Sequence, residues 1–264
     1  NILFGAFYHC RYRLNSDFCT MNSRRTLVIG DIHSGLRALK QVFERAKISS
    51  ADKLIFLGDY VDGWSEAVET VNFLIELDET HSCIFLKGNH DELCLEWLAD
   101  DELNEMWLQH GGQSTMDSYL KADDSVSDIH IMFFENLTNY YLDEENRLFL
   151  HAGFTNMKGV EHEYFIKTFY WDRTLWEMAL SLDQDLTADS PYYPKRLVHY
   201  PEIYIGHTPV THMGKTTPQK AANVWNIDTG AAFKGPLSII DVDTKEIWQS
   251  DPVHLFYPEE RGRN

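Results

Sequence analysis

The sequence of 264 residues contains no apolar run near the roughly 18 to 20 residues needed to cross a bilayer, so no membrane partner is expected. Basic residues are in short supply, with 23 Lys and Arg against 41 Asp and Glu, a formal net charge of −18. That balance opposes non-specific attachment to a phosphate polymer, so a nucleic-acid partner is not expected either. Cysteine is scarce: Cys10, Cys19, Cys83 and Cys94 show no paired spacing, which argues against both a zinc knot and a disulfide framework and fits buried, reduced thiols in the cytoplasm. No Pro/Gly/Ser linker or low-complexity stretch divides the chain, so one folded domain is expected over residues 21–257. Residues 2–7 are apolar but too short for a signal-peptide core and follow no basic region, so residues 1–20 read as an extension ahead of Met21. Residues 258–264 read as a tail that frays.

What the chain does have is one phrase repeated. The run Leu54-Ile55-Phe56-Leu57 stops at Gly58-Asp59-Tyr60-Val61-Asp62-Gly63, which reads as a buried strand presenting Asp59 at its C-terminal tip. Residues 27–29 run likewise into Gly30-Asp31-Ile32-His33, and residues 84–86 into Lys87-Gly88-Asn89-His90-Asp91. Residues 148–150 run into His151-Ala152-Gly153, and residues 203–205 into Gly206-His207-Thr208. Ligands of open α/β sheets gather at the carboxyl ends of the strands, so these ends argue for one shared site.

Between the tips, apolar spacing predicts helices over residues 36–47 and 65–77, so the first strands form βαβ units with their tips on one side. Helices are also expected over residues 92–99 and 101–109, the latter broken at Gly111-Gly112, and through most of 113–139. Residues 140–151 read as a hairpin around Glu144-Glu145-Asn146, residues 170–181 as one short helix, and residues 183–201 as loop. Strands joined by turns follow, the last hairpin turning at Asp243-Thr244-Lys245. Isolated histidines (His81, His110, His130, His162, His199 and His254) read as packing or surface residues, and so does His212 although it follows Gly206-His207-Thr208 closely.

Asp31, His33, Asp59, Asn89, His151 and His207 together make a set of oxygen and nitrogen donors. Such a set suits Mn²⁺, with Fe²⁺ or Zn²⁺ as alternatives, better than Ca²⁺, which takes oxygen throughout. Six donors with one bridging carboxylate can hold two divalent ions about 3.5 to 4 Å apart, acidifying a shared water to the hydroxide that attacks phosphorus. The leaving alkoxide then needs a proton. His90, next in sequence to Asn89, is free to deliver it as general acid, with the Asp62 carboxylate as its partner.

In order, GDIHS, GDYVDG, KGNHD, HAG and GHT resemble the signature blocks of the phosphoprotein phosphatase family of metallophosphoesterases, over residues 30–208, with IDTG at 227–230 as a further element. The resemblance implies a calcineurin-like α/β fold of four layers, a central β-sandwich flanked by helices. It implies Asp31, His33 and Asp59 on one ion, Asp59, Asn89, His151 and His207 on the other, and His90 with Asp62 behind it as the acid. Two departures stand out: Gly63 and Trp64 occupy the place of the Arg-Gly pair whose Arg grips phosphate in the family, and Ser34 replaces a glycine. The block Trp171-Asp172-Arg173 is similar to the one through which bacterial and phage members supply another phosphate-binding Arg, so Arg173 is the expected substrate contact. The expected activity is phosphomonoester hydrolysis, with phosphorylated Ser/Thr proteins favoured as substrate. Symmetrical hydrolysis of a dinucleoside tetraphosphate or hydrolysis of another small phosphoester, and phosphopeptide binding without turnover, are the alternatives.

Overall fold

Alternation along short apolar strands determines how the layers stack. In β1 (Thr26–Ile29) and β2 (Lys53–Phe56), Leu27, Ile29, Leu54 and Phe56 face one way and Val28 and Ile55 the other. A period of two puts successive side chains on opposite faces, so a strand apolar at every position must be covered on both. The computed structural model, which describes residues 24–100, 103–123 and 125–263, shows both coverings. The extension read at residues 1–20 lies outside the described residues.

The helices in chain order are α1 (Leu36–Ala46), α2 (Ala67–Asp78), α3 (Asn89–Asp100), α4 (Glu105–Trp107), α5 (Gln113–Tyr119), α6 (Ser125–Glu135), α7 (Thr168–Trp171) and α8 (Thr174–Ser181). The remaining strands are β3 (Ser82–Phe85), β4 (Tyr140–Leu142), β5 (Leu148–Leu150), β6 (Ile203–Ile205), β7 (Gln219–Ala221), β8 (Val224–Asn226), β9 (Ser238–Asp241) and β10 (Ile247–Gln249). One sheet has the order β10-β9-β1-β2-β3 and the other β4-β5-β6-β8-β7. Three parallel strands form the heart of each sheet, β1-β2-β3 and β5-β6-β8, and the antiparallel strands lie outside them.

Val28, Ile55, Phe149, Tyr204, Ile227 and Ile240 fill the space between the sheets. Phe149 stacks on Tyr204 with ring centroids 5.0 Å apart, and truncating such a buried aromatic to Ala costs about 3–5 kcal/mol. Leu27, Leu54 and Phe56 meet α1 and α2 on the outer face of the first sheet, whereas Leu148, Ile203 and Ile205 meet α8 on the outer face of the second. The result is the four-layer α/β arrangement expected: helices, sheet, sheet, helices.

Most differences from the sequence reading lie in the connections. Residues 170–181 form two helices instead of one, because the Asp172 carboxylate accepts from Thr174 N and Leu175 N and starts a new helix there. Of the helix expected over 101–109, the described residues show a start at α4, whose first turn is capped by Asn104 Oδ1. The turn continues through Leu108 and Gln109 and then breaks, as expected beside Gly111-Gly112: His110 (φ −100°, ψ 22°) and Gly111 (φ +110°) leave helical geometry before α5 begins. β7 has no apolar alternation and was not legible as a strand.

Residues 258–263, part of the segment read as a fraying tail, are tied to the body of the fold, and Asn264 lies outside the described residues. Ser65 N and Oγ donate to Glu260, and Arg263 N donates 2.9 Å to Ala232 O. Gly262 lies so close to Trp64 that a Cβ on it would be 2.8 Å from the indole ring. Trp64 is itself fully buried, stacks on Tyr257 at 5.2 Å and donates Nε1–H to Ala231 O. That platform holds the segment down, and no hydrophobic periodicity announces it.

Candidate metal centre and active site

The predicted metal ligands and the acid pair stand where a strand has just stopped: Asp31 and His33 after β1, Asp59 and Asp62 after β2, Asn89 and His90 at the start of α3 beyond β3, His151 after β5 and His207 after β6, whereas Arg173 lies between α7 and α8. The strands that carry them are parallel within each sheet, β1-β2-β3 and β5-β6, and contacts of His151 with Asp59 and of His207 with Asp31 bring both sets of ends to one edge of the sandwich. Turning the chain so sharply there forces unusual backbone: His33, Asp59, Asp62 and His207 all have φ between 51° and 71°. Left-handed residues other than glycine cost of order 1 kcal/mol each or more, and such strain gathers at functional sites. Close approach also requires two glycines. A Cβ on Gly88 would lie 2.1 Å from Asp59 Oδ1, and one on Gly206 would lie 2.0 Å from Asp31 Oδ1.

Asp59 is the centre of the arrangement. Its Oδ2 lies 3.5 Å from His33 Nε2 and 3.4 Å from His151 Nε2, between the two rings, while Oδ1 accepts from His90 N. Asp31 Oδ2 is 4.0 Å from His33 Nε2 and accepts from His207 N. Asn89 Oδ1 sits 3.3 Å from His151 Nε2 and 2.9 Å from His207 Nδ1. Two sets of donors fall within 4.8 Å of one another, His33-Asp59-His90 and Asp59-His151-His207, and they share Asp59.

Backbone carbonyls decide which histidine nitrogens face this centre. His33 Nδ1 meets the Val61 and Asp62 oxygens, and His151 Nδ1 lies 2.8 Å from Leu57 O. An N–H donated there leaves each Nε2 lone pair aimed at Asp59, the tautomer a metal ligand requires. Ring nitrogens converging on a buried carboxylate repel it and one another unless a proton or a metal cation lies among them. His207 Nε2 is buried without a partner among the described residues.

The electrostatics say the same. Asp31, Asp59, Asp91 and Asp228 are at most 3% exposed. Burial, and then the charge of Asp228, pushes Asp31 well above the usual carboxylate range. For Asp59 burial pulls the same way, but the neighbouring His151 and His90 more than offset it and hold the carboxyl well below its ordinary value. Burial disfavours charge on His151, yet Asp59 and Asp31 bring it up to about 10. Burial leaves His33 and His207 well below the ordinary imidazole value. A field that traps a proton on a fully buried imidazole is the field a divalent cation would satisfy, and the donors are those that Mn²⁺, Fe²⁺ or Zn²⁺ accept.

His90 is set apart from the other imidazoles. Its Nδ1 is 2.5 Å from Asp62 Oδ2, which also accepts Trp107 Nε1–H at 2.6 Å, while Asp62 Oδ1 accepts Thr115 Oγ1–H at 2.6 Å. Asp62 is wholly buried and its orientation is fixed by three donors. Its partners Trp107 and Thr115 come from the helical stretch after α3. In sequence a Trp in a helix reads as core, so neither was singled out. Asp91 was missed as well: its carboxylate accepts from the backbone N of Asp59, Tyr60 and Gly88, bracing one strand tip against the next, and burial beside Asp59 raises it to about 7. Asp228 receives Gly230 N and stands near Asp31, and burial raises it to about 6.

These groups open onto a cavity of about 190 Å³ bounded by Asp59, Asn89, His90 and His207 on the floor and by Trp107, Trp171 and Phe233 on the walls. Arg173 reaches it with Nη1 3.3 Å from Thr208 Oγ1, and Arg263 lines it too. His110 and His212, read as bland from sequence, also border it. His130 is a core histidine with both nitrogens bonded, to Tyr119 OH and Asn72 Oδ1. A larger groove beside β3 is lined mainly by apolar side chains such as Ile129, Met132 and Phe133, and contains none of these groups.

Two layers of sheet with clustered His and Asp donors at one edge define a class, the metallophosphoesterases. The chain belongs to the calcineurin-like phosphoesterase family, whose sequence profile matches residues 24–233, and it is therefore a hydrolase. It is similar to bis(5'-nucleosyl)-tetraphosphatase PrpE [asymmetrical] of Anoxybacillus flavithermus, with 26% identity covering 80% of this chain and 83% of the relative. It is also similar to serine/threonine-protein phosphatase 1 of Salmonella typhimurium, with 24% identity covering 83% and 92%. Among solved structures, a protein described as a putative diadenosine tetraphosphatase superposes with a TM-score of 0.61 at 17% identity, covering 87% of this chain and 94% of its own.

Proposed function

We propose that this chain is a metal-dependent phosphomonoester hydrolase with His90 as general acid. The observation that carries the reading is Asp59 Oδ2 lying between His33 Nε2 and His151 Nε2, with His90 tied off to Asp62 beside them. Asp31, His33 and Asp59 would hold one divalent ion, and Asp59, Asn89, His151 and His207 the other, Mn²⁺ being the first choice and Fe²⁺ or Zn²⁺ the alternatives. When bound, the pair supplies positive charge to the phosphate and an activated water.

The chain's own residues do the rest. Asp62, with Trp107 and Thr115 donating to it, orients the His90 ring for delivery of a proton. The remaining nitrogen, Nε2, belongs to a ring that lines the cavity and can pass that proton to the departing oxygen. His90 also stands within the first donor set, but with Nδ1 engaged by Asp62 it is assigned to the acid and Asp31 to the ion. Arg173, which lines the cavity beside Thr208, contacts the phosphate.

Phosphorylated Ser/Thr protein is the favoured substrate, from the Trp171-Asp172-Arg173 block. The second reading is a dinucleoside polyphosphate, favoured by the relatives named PrpE and by Trp171 and Phe233 at the cavity wall, where a base could stack. The buried Cys94 and the half-buried Cys83, whose thiol burial pushes up to about 12, support a reducing, cytoplasmic setting. Phosphate release from a phosphoserine peptide is compared with hydrolysis of diadenosine tetraphosphate under Mn²⁺, Fe²⁺, Zn²⁺ and Mg²⁺. Peptide turnover at least tenfold more efficient is expected; the reverse ratio replaces the first substrate by the second, and turnover of neither abandons hydrolysis for phosphopeptide binding.

A further inference from the structure

We infer that Arg263, delivered by the segment that follows Tyr257, is a phosphate-binding residue of the active-site cavity. The inference rests on the functional reading above. Among the described residues that line the cavity, Arg173 and Arg263 are the permanent cations. Arg263 arrives by a built route. A Cβ on Gly63 would lie 3.5 Å from Arg263 Cγ and one on Gly111 only 3.0 Å from it, so the aliphatic stem passes beside two positions that have no side chain. Both glycines are at positive φ, +115° and +110°, and Gly63 N bonds to Gly111 O, so the opening is fixed by backbone.

The anchors are equally specific. Arg263 N is held by Ala232 O, and Gly262, at φ +60°, rests on Trp64. The residues at positions 63 and 64 therefore do two jobs: the glycine leaves room for an arginine stem, and the tryptophan supports the backbone that brings it. At its far end the guanidinium lies over the Phe233 ring, 5.4 Å from the centroid, which holds the plane and leaves its in-plane donors unspent. Its Nε is buried and has no hydrogen-bond partner among the described residues. A buried guanidinium N–H with nothing to donate to is costly, and an oxyanion is the ligand that its fork geometry fits. Phosphate oxygens in the cavity would meet Arg263 on one side and Arg173 as the other cation.

The test measures inorganic phosphate binding by calorimetry on the Mn²⁺-reconstituted full chain, together with kcat, KM and metal content. Arg263→Gln is expected to weaken phosphate and raise KM by roughly 10- to 100-fold, the range for a lost charge-assisted hydrogen bond. Metal content and unfolding should stay unchanged, and added guanidinium ion should restore part of the affinity. Gly262→Val, which keeps Arg263 but collides with Trp64 and Ala232 O, is expected to weaken phosphate similarly. Wild-type phosphate affinity in Arg263→Gln overturns the inference, and so does a loss that tracks loss of metal or of cooperative unfolding, because the arginine would then be a packing residue. Failure of the unmodified chain to bind phosphate with metal present rejects the functional reading itself.

Discussion

Replacing Asp62 by Asn keeps the shape of the side chain and removes its charge. In the native chain three donors point at that carboxylate, His90 Nδ1 at 2.5 Å and Trp107 Nε1 and Thr115 Oγ1 at 2.6 Å each. An amide can satisfy His90 and Trp107 only with its oxygen, which turns its NH₂ toward Thr115, already an acceptor for the residue 62 N–H. Bonds to a charged group contribute about 1.5–3 kcal/mol and neutral ones about 0.5–1.5, so losing the charge assistance on three bonds costs on the order of 3 kcal/mol. Relief of the buried charge returns part of it, leaving an expected loss of about 1–3 kcal/mol in urea unfolding. The catalytic effect should depend on the leaving group. With a phosphoserine peptide, whose alkoxide must be protonated as it leaves, kcat should fall by about 10²–10⁴, the usual contribution of a general acid. With p-nitrophenyl phosphate, whose phenolate leaves unaided, the fall should stay within roughly tenfold. Equal losses on both substrates in a folded protein would refute proton delivery through this pair.

Chelation should destabilise the fold, because it leaves Asp31, Asp59, Asp91 and Asp228 buried together. Restoring free Mn²⁺ to about a hundredfold above its dissociation constant contributes about 2.7 kcal/mol per site, or about 5 kcal/mol for two, and should raise Tm by roughly 10 to 20 °C, read by differential scanning fluorimetry; an unchanged Tm would count against the site. Gly88→Ala puts a methyl group 2.1 Å from Asp59 Oδ1 and 2.3 Å from its backbone N, so a loss of about 1–3 kcal/mol and weakened Mn²⁺ binding by calorimetry are expected. His130 sets a pH dependence of stability away from the site. Burial lowers it to about 4, so the unfolded chain takes up its proton first and the stability due to neutral His130 is complete above about 6.5 and declines as pH falls toward 4. His130→Gln should flatten that decline in urea midpoints, and identical slopes for both proteins would reject the assignment.

The strand tips were legible because each combines four physical cues in a few residues: an apolar run, a glycine, a polar donor, and a second such run at the distance of a βαβ unit. Asp59, His151 and His207 could therefore be placed together although 148 residues separate the first from the last. The supports were harder to read. Asp91 looks like any acid on a helix until Asp59 N, Tyr60 N and Gly88 N are seen to point at it. Trp107 looks like core, and is core, yet its one polar atom reaches Asp62. Arg263 follows a proline, two glutamates, an arginine and a glycine, a composition typical of solvated chain ends. What orders it is a stacked Trp64 and Tyr257 from distant parts of the sequence, a tertiary effect without local signature.

The central claim is that two divalent ions share Asp59. Crystals of the Mn²⁺-reconstituted protein, with anomalous differences collected at the manganese edge, address it most directly. Two peaks are expected to flank the Asp59 carboxylate, one toward Asp31 and His33 and the other toward Asn89, His151 and His207, both lost in Asp59→Asn. A single peak, or peaks bound by His90 instead of Asp31, would contradict it.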